Sequence, residues 1–273
     1  MTTLNISNQE FQQIAQYIHA HYGIHLKDEK KTLLVGRLQQ LVHKLEMNSF
    51  SEYYNYLVTD RTGNAAKSLI NHISTNHTYY MRESDHFFFL RDHCLPQISP
   101  QKSNRDVRIW CAGCSSGEEA YTLAMILEDF YGSQLPSWDK KLLATDISTQ
   151  ALEKAITGTY SADAVGSLPV LWRTKYLRKV SNLQYEILPK IKEEILFRRF
   201  NLMAPTLPFK KKFHAIFCRN VMIYFDGPTK DKLIQQFYEA TEPGGYLFLG
   251  LSESIDRNLF GYKYVQPSIY RKV

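Results

Sequence analysis

Apolar positions in the first 75 residues recur at helical spacing and nowhere alternate as a strand would. Phe11, Ile14, Ala15 and Ile18 fall on one helix face, and Leu34, Leu38, Leu41, Val42 and Leu45 on another, with Gly23 between them. Phe50, Tyr53, Tyr54, Leu57 and Val58 predict a third helix with Ser49 or Ser51 as its cap, and a fourth covers residues 65–73. The pattern changes after the polar stretch 74–78. Residues 79–89 are strongly aromatic and hold Arg82. A helix over about 84–93 follows, then a link containing Pro96, Ser99, Pro100 and Ser103.

From residue 107 onward strands and helices alternate. Val107, Ile109, Trp110 and Ala112 predict a buried strand, residues 113–117 a tight glycine loop, and Glu118 the start of a helix. A second strand covers 142–146, and a helix with Ser148 as its cap runs to Thr157. A loop over 132–137 separates these units. Residues 160–200 are less regular: 172–178 reads as helix, and 185–188 and 195–197 as short strands of a small appended sheet. A strand ends at Phe200. A buried strand over 213–218, a helix over 229–241, a turn at Pro243-Gly244-Gly245, a strand over 246–251 and a closing hairpin (262–265 with 269–271) complete the chain. Strands alternating with helices predict a doubly wound α/β domain behind an all-α one.

Composition narrows the class. The 273 residues are 44% hydrophobic and 22% charged, ordinary for a globular protein. No apolar run approaches the roughly 18–20 residues of a membrane span. The start MTTLNISNQEF lacks a basic segment followed by an apolar core, so no secretory signal is expected and the cytoplasm is the expected location. Four cysteines do not make a disulfide scaffold. Cys111-x-x-Cys114 reads as a redox pair, half a zinc site, or packing. With no second such pair and a spacing that straddles a strand end, packing is the expected role, and no metal site is expected. The net charge of +6 points to an acidic partner: nucleic acid, acidic protein or anionic lipid. A basic stripe over residues 27–44, with Lys30, Lys31 and Arg37 inside it, is either a solvated helix face or a docking surface.

The glycine loop carries the chemistry. Dinucleotide sites place a pyrophosphate on the helix N-terminus, but here Glu118 and Glu119 occupy that first turn. Phosphate would meet like charge, whereas a ligand with hydroxyls and positive charge is suited to it. S-adenosylmethionine, with a ribose diol, an ammonium and a sulfonium, has these features. The two carboxylates also simply suit the helix dipole. Polar residues stand at three further strand ends: Asp146, where an acidic group reaches ribose hydroxyls in this fold class, Asn201, and Arg219-Asn220. Four in one expected crevice point to a nucleoside site.

Five motifs together resemble one family. They are T-N-x-T-x-x-x-R ending at Arg82, G-C-S-S-G-E-E-x-Y from Gly113, A-T-D-I, F-x-x-x-N-L ending at Leu202, and I-F-C-R-N-V-M-I-Y-F-D ending at Asp226. With the helical N-terminus, the chain resembles the CheR family of bacterial chemotaxis receptor methyltransferases over nearly its whole length. The resemblance implies a Rossmann-like class I methyltransferase domain over 76–273, with a small antiparallel β-subdomain at about 170–197, behind a helical domain over 1–75 that docks on receptors. It implies S-adenosyl-L-methionine as cofactor, S-adenosyl-L-homocysteine as product, and receptor glutamates as acceptors. Carried over by motif, Asn76, Thr78 and Arg82 reach the cofactor, as does Glu119 (with Glu118 second). Asp146 takes the ribose, Asn201 and Leu202 lie by the adenine, and Arg219 and Asn220 close the site. Arg82 and Tyr224 stand nearest the transferred methyl. His77 is expected to face solvent.

Two departures from the family pattern stand out. Tyr80-Met81 replaces paired phenylalanines and keeps their bulk. The stretch 178–183 lacks the Gly-x-Gly with which some relatives hold a C-terminal receptor pentapeptide, so such tethering is not expected and docking on the receptor's helical methylation region is. A nucleic-acid methyltransferase and a non-catalytic sensor of the nucleoside are the alternatives. Against the first, Arg219-Asn220-Val221-Met222 stands where amine-methylating enzymes carry N/D-P-P-Y/F. Neither nucleic acid nor membrane insertion is expected.

Overall fold

The computed structural model describes residues 4–98, 105–132, 138–256 and 260–273. The expected link residues Ser99, Pro100 and Ser103, and most of the loop over 132–137, lie outside them. Four helices open the chain: α1 (Asn8–Tyr22), α2 (Lys31–Lys44), α3 (Phe50–Thr59) and α4 (Asn64–Ile73). The Ser7 side chain accepts from the Glu10 amide and Glu10 answers to the Ser7 amide, a capping box that starts α1. Gly23, at φ 70°, ends it in a left-handed conformation. Ser49, not Ser51, caps α3. Phe11, Ile14, Ile18, Leu38, Val42, Phe50 and Tyr53 are fully or nearly fully buried in a core belonging to these helices.

After α4 an extended segment leads to α5 (Asp85–Phe89), a widened π turn at Leu90–Cys94, and α6 (Leu95–Ile98). The expected helix thus runs on through Pro96, which the sequence pattern put in a link. Pro96 has no N–H to donate, and the wide turn that precedes it, with Leu95 N–H bonded to Leu90, keeps the helix axis going.

The second half is an α/β unit: β1 (Ile109–Ala112), α7 (Glu118–Tyr131), β2 (Leu142–Asp146), α8 (Thr149–Thr157), β3 (Thr159–Ser161), α9 (Val170–Tyr176), β4 (Leu177–Lys179), β5 (Gln184–Ile187), α10 (Pro189–Lys192), β6 (Ile195–Arg199), β7 (Phe213–Cys218), α11 (Gly227–Ala240), β8 (Thr241–Leu249), β9 (Tyr262–Gln266) and β10 (Ile269–Lys272). The large sheet has the order β6-β2-β1-β7-β8-β10-β9. Its first five strands are parallel and the closing hairpin antiparallel. The order reverses between β1 and β7, so the crevice for a ligand opens at the carboxyl ends of these strands.

A separate three-stranded antiparallel sheet, β3-β5-β4, is attached to it. One expectation needs correcting here. Residues 195–197 do not join the small sheet; Ile195–Arg199 pairs in parallel with β2 as the edge of the large one. A three-residue apolar run specifies a strand but not its neighbour, and the pairing edge is a tertiary choice. The Pro243-Gly244-Gly245 turn appears as a break in register inside β8, with residues 242–245 inserted between the Phe213–Thr241 and Ala215–Tyr246 pairs.

Successive strand residues feed opposite faces. Ile109 and Cys111 pack with α7 on one side, while Trp110 and Ala112 pack with α11 on the other. Phe217 stacks on Phe248 at 4.1 Å and on Phe87 at 6.2 Å, which fixes α5 against the sheet. Phe217→Ala removes the middle of this stack and is expected to cost about 3–5 kcal/mol. Urea denaturation should show the lower midpoint with an unchanged slope.

Candidate active site

Each strand end of the sheet's central part projects a polar residue into one cavity of about 580 Å³. Asn76, Thr78, Arg82, Glu119, Asp146, Asn201, Leu202, Arg219, Asn220 and Tyr224, all singled out from sequence, line it. So do Ile24, His25 and Lys30 from the N-terminal helical part, which therefore forms one wall.

The loop after β1 is shaped by backbone demands. Gly113 sits at φ 106°, and a Cβ there would fall 2.4 Å from Val221 Cγ2. Its N–H and that of Cys114 donate to the Thr145 carbonyl, which draws the loop over the end of β2. Ser115, also at positive φ, donates its N–H to Asp146 Oδ2 at 2.8 Å, and Ser148 N–H donates to Oδ1 at 2.8 Å. Asp146 is thereby aimed. Burial pushes its carboxyl above the usual range, against these two amides. Each oxygen keeps acceptor capacity, as a vicinal diol requires.

The two loop glutamates part company. Glu118 is buried away from the cavity, bonded to Ser116 Oγ, and burial raises its pKa. Glu119 faces the cavity, where Oε2 accepts from Arg219 Nη1 at 2.7 Å and Oε1 from Cys111 Sγ at 3.2 Å. Burial raises the pKa values of the Cys111 and Cys114 thiols far above the ordinary range, leaving both inert.

Arg219 is the hub. Its side chain is 1% exposed and lies between Glu119 and Glu83, with Glu83 Oε2 3.0 Å from Nη2. Nη2 also donates to the Arg82 carbonyl, and the guanidinium lies over the Phe87 ring at 5.0 Å. Burial by itself raises the Glu83 pKa, but the Arg219 charge and hydrogen bonds outweigh it and the net shift is downward. Glu83 further accepts from Asn220 Nδ2 and from Leu251 N–H. Asn220, at φ 58°, donates its own N–H to Glu253, which also takes the amides of Gly250 and Ile223. Beside this cluster His86 is buried. Burial first, and then the Arg219 charge, bring its pKa down to about 4, so it is neutral at physiological pH. The sequence reading missed Glu83, Ser115, Glu253 and His86. Glu83 follows Arg82 directly, and an acidic residue beside a motif arginine was a signal in plain view. For Glu253 no local pattern exists.

Arg82 lies in a strained turn, between Met81 and Glu83 at positive φ. Nη1 donates to the His77 carbonyl at 2.8 Å, and the guanidinium stands 5.8 Å from the centre of the Tyr79 ring. Among the described residues no carboxylate pairs with it. His77 is exposed, as expected. Tyr224, 36% exposed, sits in a short 3-10 turn whose carbonyl accepts from His25 N–H. Asn201 Nδ2 donates to the His21 carbonyl at 2.8 Å, so this amide ties α1 to the sheet. Arg37 is half-buried and donates to the Ile73 carbonyl and to Thr75 Oγ1. It holds the segment leading to Asn76 and is not a free member of a basic docking face.

Residues 9–74 match the family described as CheR methyltransferase, all-alpha domain, and residues 76–269 match CheR methyltransferase, SAM binding domain. Over 273 residues the chain is 39% identical to a chemotaxis protein methyltransferase of Borreliella burgdorferi, covering 98% of this chain and 96% of that one. It is 34% identical to the chemotaxis protein methyltransferase of Escherichia coli over 255 residues, 92% and 86% of the two chains. The cofactor is S-adenosylmethionine, and the cavity suits it. Asp146 offers free acceptor sites to a diol, Glu119 puts negative charge where a cation belongs, and Ile73, Ile147, Phe200 and Leu202 form apolar wall for a base.

Replacing Arg219 by Met leaves Glu83 and Glu119 facing each other without a cation, at an expected cost of about 3–5 kcal/mol at neutral pH. The lowered pKa of Glu83 means that the pair stabilises above the ordinary carboxyl range and that this contribution is lost as pH falls through the folded value. The gap between wild type and Arg219→Met, read by urea melts, should therefore hold from pH 7 down to the ordinary carboxyl value near ~4.3 and narrow below it.

Proposed function

The chain belongs to the CheR methyltransferase family, and on that footing we propose that it methylates glutamate side chains in the helical methylation region of chemotaxis receptors, giving glutamate methyl esters. The observation that carries this reading is the polarity of the cavity. Glu119 and Asp146 lie half-buried at the strand ends, while Arg82 and the exposed Lys27 and Lys30, with Glu29 between the lysines, stand elsewhere on its lining. A cationic donor belongs at the first group, an anionic acceptor at the second.

A glutamate carboxyl has an ordinary pKa near ~4.3 and is already ionised at neutral pH, so the acceptor needs no general base. S-adenosylmethionine supplies an electrophilic methyl group carried on a sulfonium. The chain's own task is to align the acceptor and keep water away, effects worth up to roughly 7–11 kcal/mol in favourable cases. Arg82 has donors left over after bonding His77, and these orient the receptor carboxylate. The Tyr224 hydroxyl steers it by a second hydrogen bond. Full ion pairing would blunt the nucleophile, and the tether of Arg82 to the His77 carbonyl limits its approach. Asn76, Thr78, Asp146, Asn201, Leu202 and Asn220 act in holding the cofactor, with Glu119 held in charge balance by Arg219.

The exposed turn over 178–183 has no glycine and carries Val180 and Leu183 at 54% and 75% exposure. This favours direct docking on the receptor's helices over capture of a C-terminal tether. Lys27 and Lys30 stand beside the cavity and meet the acidic methylation helices.

Transfer of tritiated methyl to receptor membranes tests the activity. The product should be released by alkali, as an ester is and an N-methyl group is not, and RNA should accept nothing. Arg82→Ala is expected to lower kcat roughly 10²-fold. Full turnover with unchanged cofactor affinity would remove Arg82 from its role. Lys30→Glu should raise the receptor KM and flatten its dependence on salt, with kcat unchanged. Because Arg37 holds the 73–75 segment, Lys30 is the cleaner probe of docking.

A further inference from the structure

Three chemistry-bearing side chains given no part in the methyl transfer meet on the seam between the helical N-terminal part and the sheet, with His25 at the edge of the cavity. His19 stands in the last turn of α1, His25 in the segment after Gly23, and Asp226 at the start of α11, some 200 residues away. One ligand atom from each lies within 4.8 Å of the other two. His19 Nε2 is 2.9 Å from Asp226 Oδ2, and the two imidazoles face each other edge-on with centroids 6.0 Å apart.

A histidine–carboxylate hydrogen bond accounts for His19 and Asp226. It does not account for His25, an exposed ring with no hydrogen bond among the described residues, held there by its backbone. Its N–H donates to the Tyr224 carbonyl at 2.8 Å, and Ile24 bridges to Phe225, so the segment is stitched to the residues just before Asp226. The other carboxylate oxygen of Asp226 accepts from Thr229 N–H at 3.0 Å, which fixes its orientation as an outer-shell partner of a metal ligand would.

We propose that His19, His25 and Asp226 bind a divalent transition-metal ion of the Zn²⁺ type, which clamps α1 and its following segment to the start of α11. Two imidazoles and one carboxylate are a donor set for such ions and not for Mg²⁺ or Ca²⁺, which take oxygen. Bonds of about 2.0–2.2 Å in a tetrahedron set ligand atoms roughly 3.3–3.5 Å apart. Reaching that spacing asks for a turn of the exposed His25 ring and little else. Water completes the fourth position.

The test uses the tag-free, metal-stripped full chain. Titration calorimetry with Zn²⁺ should give one site, and Co²⁺ in its place should develop the visible absorption of a four-coordinate ion. His19→Gln and His25→Gln should each weaken Zn²⁺ binding by about tenfold or more, as should Asp226→Asn, which keeps a competent helix cap. His93→Gln, remote from the seam, should bind as wild type does. Melting of the metal-free variants checks that they fold, and added Zn²⁺ should raise the Tm of wild type and of His93→Gln more than that of the three ligand variants. Equal Zn²⁺ affinity in wild type and His25→Gln would overturn the proposal, as would no stoichiometric binding to wild type.

Discussion

A guanidinium sealed from water must be compensated, and nearly everything around the cavity answers to that demand at Arg219. Removing such a charge from solvent costs several kcal/mol unless carboxylates and hydrogen bonds replace the water. Glu83 and Glu119 supply the charge, the Arg82 carbonyl another acceptor, and Phe87 an aromatic face. Each partner comes from a different part of the chain. Glu83 brings the segment before α5, Glu119 the first turn of α7, and Phe87 the stack that runs through Phe217 to Phe248. One cation therefore sets the relative positions of the strained Arg82 turn, the glycine loop and the end of β7. The geometry offered to a ligand follows from it.

The same economy explains how the N-terminal helices become part of the site. Their core is separate, yet α1 and α4 are bonded across to the α/β unit, and α2 holds the segment that leads into the site. Asn201 caps the carbonyl at the end of α1, Arg37 holds residues 73–75, and Asn71 meets Ser148 and Thr149 at the start of α8. The bonds to the His21 and Ile73 carbonyls use backbone groups that a helix terminus would otherwise leave unpaired, and the others join side chains. A wall attached in this way is firm enough to shape a cavity. Its exposed cations remain available to an acidic partner.

Much of this architecture was legible. The amphipathic periods of α1 to α3, the strand–glycine–helix passage at residues 109–118 and the buried run at Phe213–Cys218 are local patterns with local causes. The polar residues at strand ends were legible because the fold class directs strand carboxyl ends to one crevice. What misled was equally specific. Ile195–Arg199 read as a member of the small sheet because a short apolar strand does not name its partner. Pro96 read as a linker residue because a widened turn that spares its missing donor leaves no mark in composition. Arg37 read as one more cation in a stripe, when its donors are spent on the Ile73 carbonyl and the Thr75 hydroxyl.

By itself the sequence determined which polar residues gather at the cavity: a glutamate of the first turn after a glycine loop, the aspartate closing β2, and the arginines at 82 and 219. Residue type and spacing suffice there, because the demand comes from a ligand meeting a nearly universal fold. Only the tertiary structure decided between Glu118 and Glu119, assigned Glu83 and Glu253 their partners, and made Asn201 a strut to α1. Those outcomes depend on which charges are buried together, and burial is a property of contacts between segments far apart in the chain.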